Sequence, residues 1–126
     1  MHKIAVVDDA KDNRDFLYYL LGDEYEVLRY GTGQEALQAS AREAPDLIVL
    51  DIWLPDIDGV EVLRRLRQQD GWRNVPAIAL TANAMTGDRE KYLAAGFDDY
   101  VSKPIMDIGR FLKLVRGLLA GSKSGD

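Results

Sequence analysis

Asp9, Asp51, Thr81 and Lys103 each stand just past a short apolar run of this 126-residue chain. If those runs are strands of one parallel sheet, the four side chains meet at a single edge of it. Carboxylates gathered there can hold a hard cation, a threonine hydroxyl and a lysine ammonium can meet anionic oxygens, and Asp51 can act as a nucleophile. That combination suits phosphoryl transfer. Asp8 adds a third carboxylate beside Asp9.

Three carboxylates brought together repel by roughly 4 kcal/mol per pair at 4 Å with an effective dielectric of 20, unless one takes up a proton. Lys103 cancels one of the three charges, and a divalent ion would cancel the rest. An all-oxygen donor set, with no cysteine in the chain and its one histidine at His2, favours Mg²⁺ over zinc.

Taken singly, each residue has a plainer use. Asp8 and Asp9 lie between a strand and a helix, where an aspartate caps the helix and complements its dipole. Thr81 suits a strand end on propensity alone. Lys103, extended before Pro104, reads as a solvated lysine. Asp51 is different, because the helix after it is better capped by Asp58 and no structural job is left for it.

The elements that must position these residues follow from the hydrophobic pattern. Ile4 to Val7, Leu47 to Leu50, Ala77 to Leu80 and Tyr100-Val101 are short apolar runs of the kind that form buried parallel strands, and Tyr25 to Leu28 is a weaker fifth. Between them, Asp12 to Leu21, Thr32 to Arg42, Val60 to Leu66 and Ile108 to Leu119 carry apolar residues at helical spacing, and Thr86 to Ala95 reads as a shorter helix. Glycines fall near the helix ends and prolines in the connections. Five alternations of strand and helix predict a three-layer α/β domain, since crossovers between parallel strands place helices on both faces of the sheet. Ligands of such sheets bind beyond the carboxyl ends of the strands, which is where the polar residues stand.

The length and a hydrophobic content of 47% fit one domain with its own core, read as residues 1–121, with the small polar segment 122–126 as a flexible tail or the start of a linker. The absence of cysteine excludes disulfides and thiolate chemistry and suits a reducing compartment, so a cytoplasmic location is expected. No apolar stretch approaches the roughly 20 residues that span a bilayer. A formal charge of −5 argues against direct nucleic-acid binding.

Four segments carry a resemblance: Val6-Val7-Asp8-Asp9; Pro45-Asp46 through Asp51-Ile52-Trp53-Leu54-Pro55 to Gly59; Leu80-Thr81-Ala82-Asn83-Ala84; and Ala95-Gly96 through Tyr100-Val101-Ser102-Lys103-Pro104. In this order and spacing they resemble the receiver domain of two-component response regulators, over nearly the whole chain. The resemblance implies a flavodoxin-like (βα)5 fold with strand order 2-1-3-4-5. It implies that Asp51 accepts a phosphoryl group. Mg²⁺ would be held by Asp9 and Asp51 directly, by Asp8 mainly through water, and by the backbone carbonyl of Trp53. Thr81 and Lys103 would each bond a phosphoryl oxygen, and Tyr100 would be the aromatic switch partner of Thr81. Trp53, Ala82 and Asn83 would rim the pocket, with Trp53 and Asn83 tuning dephosphorylation, and Pro104 would follow a cis bond.

The expected function is a phosphorylation-driven switch and not a turnover enzyme. It would be charged by a histidine kinase or histidine phosphotransfer protein and would signal to an effector protein through its fourth helix, last strand and last helix, as a monomer or weak homodimer. One alternative is a Mg²⁺-dependent aspartyl-phosphate phosphatase resembling the haloacid-dehalogenase superfamily, whose second aspartate would stand where this chain has Ala10. Another is a receiver that is never phosphorylated and serves as a protein-binding platform. A flavin-phosphate site is disfavoured, because Asp8-Asp9-Ala10-Lys11-Asp12 lacks the small donor residues that cradle phosphate.

Overall fold

A computed structural model describes residues 1–40, 42, 44–82 and 88–124. In chain order the elements are β1 (Lys3–Val7), α1 (Lys11–Leu21), β2 (Glu26–Tyr30), α2 (Gly33–Ser40), β3 (Leu47–Asp51), α3 (Gly59–Arg67), β4 (Ala77–Thr81), α4 (Asp88–Ala94), β5 (Asp99–Ser102) and α5 (Ile108–Ser124). All five strands are parallel, in the order β2-β1-β3-β4-β5. This is the α/β architecture that the alternating pattern demanded.

Because successive strand residues face opposite sides, each central strand feeds two cores. Ile4, Val6, Leu47, Val49, Ile78 and Leu80 pack with Leu17 and Leu21 of α1 and with Phe111, Val115 and Leu119 of α5. Ala5, Val7, Ile48, Leu50, Ala77 and Ala79 pack on the other face with Ala36 of α2, Val62, Leu63 and Leu66 of α3, and Tyr92 of α4. Every residue of β3 and β4 is buried, so both read as continuous apolar runs.

The boundaries differ where apolarity is not what sets them. Strand β2 begins after Tyr25 and runs through Arg29 to Tyr30, because pairing with β1 from Lys3↔Glu26 to Val7↔Tyr30 defines this edge strand. Helix α2 stops at Ser40, short of Arg42. Helix α5 continues past Leu119 to Ser124, into the segment read as a tail, where no proline intervenes to stop its hydrogen bonding. Helix α4 spans Asp88–Ala94, and the start read at Thr86 lies outside the described residues.

Two glycines hold the loops that matter to the edge. A Cβ on Gly59 would stand 2.4 Å from the Asp51 carbonyl oxygen, so only glycine lets α3 begin against the end of β3. There Gly59 N–H donates to the Ile52 carbonyl at 2.9 Å and Asp58 caps α3 by accepting Val60 N–H at 2.7 Å. Gly96, at φ +108°, takes the left-handed turn that leads from α4 towards β5.

Candidate functional site

At the carboxyl end of the sheet Asp8 follows β1, Asp51 ends β3, Thr81 ends β4 and Lys103 follows β5, so the strand order brings residues distant in sequence together. One carboxylate oxygen from each of Asp8, Asp9 and Asp51 lies within 4.8 Å of the others. Asp8 and Asp51 are buried, at 0% and 2% exposure, while Asp9 faces solvent. Lys103 Nζ reaches both buried carboxylates, at 3.0 Å from Asp51 Oδ2 and 3.2 Å from Asp8 Oδ2. Thr81 is fully buried beside them on β4, where its carbonyl accepts Lys103 N–H at 2.9 Å and so ties β4 to the segment that carries the lysine.

The capping use of Asp8 and Asp9 does not describe this geometry. Ala10 occupies the N-cap position of α1, and no side chain caps it. Asp8 Oδ1 accepts the N–H of Ala10 at 2.9 Å and Oδ2 accepts the side-chain amide of Asn13, while Arg14 Nη1 donates to the Asp8 carbonyl at 2.8 Å. Asn13 and Arg14 escaped the sequence reading because polar residues in the first turn of a helix usually face water. The available signal was spacing, since Asn13 lies five residues past Asp8 and one turn into α1.

Asp51 Oδ1 accepts the N–H of Trp53 at 2.9 Å, which leaves Oδ2 to Lys103. Burial, helped by the charge of Asp8, raises the Asp51 carboxyl above the usual carboxylate range against the opposing pull of Trp53 N–H and Lys103. Burial disfavours the charged Lys103 ammonium, but its bonds and attraction to Asp51 and Asp8 outweigh that, and its pKa is raised. The cluster thus carries three carboxylates against one ammonium. An all-oxygen donor set with two net negative charges fits Mg²⁺, and Asp8, Asp9 and Asp51 are the side chains that could hold it.

Around the site, Trp53 is 61% exposed and Ala82 is exposed, so both stand at the rim, whereas Asn83 lies outside the described residues. The Lys103–Pro104 peptide bond is cis. Tyr100 on β5 is half-buried, with its ring 6.1 Å from that of Tyr92 on α4. Next to it, residues of β5, of the connection after it and of α5, from Asp99 to Leu114, line a groove of about 550 Å³.

Comparison with known proteins gives this geometry its context. A family model described as the response regulator receiver domain matches residues 4–116. The polar-differentiation response regulator DivK of Brucella anthropi is 38% identical over 117 residues, covering 92% of this chain and 94% of that protein. The receiver domain of the sensor histidine kinase PA1611 from Pseudomonas aeruginosa, solved with a magnesium ion coordinated in its active-site cleft, superposes with a TM-score of 0.85 at 34% identity, covering 94% of this chain and 98% of that one. A CheY-like receiver domain protein from Methanospirillum hungatei gives a TM-score of 0.89 at 27% identity over 100% of this chain and 99% of that one. Among the described residues no helix is long and apolar enough to cross a membrane.

Proposed function

This chain belongs to the response regulator receiver domain family, and from that premise we propose that it accepts a phosphoryl group on Asp51 and signals by contact with a partner. The observation that carries the reading is the sharing of Lys103 between two buried carboxylates, 3.0 Å from Asp51 and 3.2 Å from Asp8, inside a cluster with excess negative charge.

In the transfer step the nitrogen–phosphorus bond of a phosphohistidine donor breaks as a bond forms between an Asp51 carboxylate oxygen and phosphorus. The electron pair stays on the imidazole nitrogen, which takes up a proton. Asp51 attacks as the carboxylate, and Trp53 N–H and Lys103 favour that form against the effect of burial. Mg²⁺ held by Asp8, Asp9, Asp51 and the Trp53 carbonyl would supply positive charge to the phosphoryl oxygens. Lys103 pairs with one of those oxygens, and the Thr81 hydroxyl bonds another.

The acyl phosphate replaces one negative charge by about two and adds acceptor oxygens, which draw Thr81 inward. Tyr100, half-buried on the adjacent strand, turns into the space behind it. The change reaches the surface formed by α4, β5 and α5, where an effector protein docks. The donor is a histidine kinase or histidine phosphotransfer protein, and we place the reaction in the cytoplasm. The domain is not a turnover enzyme.

Incubation with acetyl phosphate and Mg²⁺, followed by intact-mass measurement, tests this. Wild type gains a single phosphoryl group and Asp51→Ala gains none. Steady hydrolysis of a generic phosphomonoester in proportion to time would instead identify a phosphatase.

A further inference from the structure

We infer that Asn13 is a positioning residue for Asp8: its side-chain amide holds the buried carboxylate without cancelling its charge. The acidic cluster then keeps both the geometry and the net charge that a divalent cation requires. The inference rests on the proposed cation site and adds to it a residue outside the acidic set.

Asp8 has no exposed surface, so its carboxylate must be met by donors or bear the full cost of leaving water. Among the described residues, three groups meet it. Ala10 N–H bonds Oδ1 at 2.9 Å, the Asn13 amide bonds Oδ2, and Lys103 Nζ lies 3.5 Å and 3.2 Å from the two oxygens. Lys103 is the charged member and it also serves Asp51 at 3.0 Å. When Lys103 turns to a phosphoryl oxygen on Asp51, Ala10 N–H and Asn13 still hold Asp8.

The choice of an uncharged amide matters. An arginine or lysine at position 13 could also bond Asp8, but it would remove one of the two net negative charges. Helix α1 fixes the amide in place, and the neighbouring Arg14 grips the Asp8 carbonyl at 2.8 Å, so adjacent side chains hold both the carboxylate and the main chain of one aspartate. Local helix preference does not account for Asn13. The N-cap position is Ala10, and asparagine is a poorer helix former than alanine at an interior position.

The test is Mg²⁺ binding in the absence of any phosphodonor, followed by calorimetry and by fluorescence of Trp53, which is 61% exposed two residues from Asp51, against the buried background of Trp72. Asn13→Ala is expected to weaken Mg²⁺ binding by about tenfold, as loss of an outer-shell partner does elsewhere. It should also lower the urea midpoint, because a buried carboxylate loses a donor and alanine's better helix preference offsets only part of that loss. Asn13→Gln, which retains an amide, falls between Asn13→Ala and wild type, and Asn13→Lys binds more weakly than Asn13→Ala. Asn13→Ala or Asn13→Lys matching wild-type Mg²⁺ affinity overturns the inference alone. Wild type that fails to bind Mg²⁺ overturns both the inference and the proposed cation site.

Discussion

The two ends of the sheet use the same residue types for different work. At the amino end of the strands, charges are spent on the backbone. Arg67 at the end of α3 donates to the carbonyls of Trp72 at 2.8 Å, Val75, and Gly96 at 3.1 Å, closing the connections that lead into β4 and β5. Asp98 accepts the N–H of Ala77 at 2.8 Å, and Asp46 accepts that of Lys3 at 2.7 Å. At the carboxyl end, Asp8, Asp9 and Asp51 crowd around one lysine, and burial pushes Asp51 away from its charged form. The first end is built for stability. The second carries an electrostatic cost that a bound cation would relieve.

That contrast is open to direct attack, starting with the largest effect. Replacing Arg67 by Met keeps the aliphatic stem and strands three carbonyls, so urea unfolding should report a loss of about 3 kcal/mol. Phosphoryl uptake by the folded fraction should be unchanged. A loss confined to a few tenths of a kcal/mol would show that the amino-end network does not hold the fold.

Next comes a gain. Burial of the Asp51 carboxylate, with repulsion by Asp8 added, outweighs the stabilisation it receives from Trp53 N–H and Lys103. Asp51→Asn should therefore stabilise the protein at pH 7 by about 1–2 kcal/mol, even though it removes the proposed phosphoryl acceptor. The sign with pH follows from the raised pKa. Wild type bears the cost while Asp51 is ionised and sheds it as pH falls through the folded-state pKa towards the ordinary value of 3.8, so the gain from Asp51→Asn shrinks over that range. A gain that grew on acidification would contradict the assignment.

The smallest effect is the same substitution at the other end. Asp98→Asn weakens a charge-assisted bond to Ala77 and the attraction between Asp98 and Arg67, and should cost roughly 0.5–1 kcal/mol. Opposite signs for Asp51→Asn and Asp98→Asn are expected in paired denaturation curves, and equal signs would mean that the two ends of the sheet do not differ in this way.

The architecture was legible in the sequence because β1, β3 and β4 are buried on both faces, so their apolar runs coincide with the strands to within a residue or two. Edge strand β2 was less legible, since backbone pairing with β1 carries it through Arg29 and Tyr30. Asp51 stood out because Asp58 already capped α3, and the structure places that cap as expected. Asn13 and Arg67 were not legible. Their partners are a carboxylate turned back from β1 and three carbonyls in irregular connections, and the five-residue spacing from Asp8 to Asn13 is too weak a pattern to mark either by itself.

A shortage of positive charge, of about one divalent ion, sets the carboxyl end of the sheet apart from the amino end. Its most direct measure is the unfolding midpoint of wild type and Asp51→Asn, each with and without Mg²⁺. Mg²⁺ should raise the wild-type midpoint, and Asp51→Asn should start higher and gain much less from the ion. A wild-type midpoint indifferent to Mg²⁺, or an equal rise in both proteins, would contradict it.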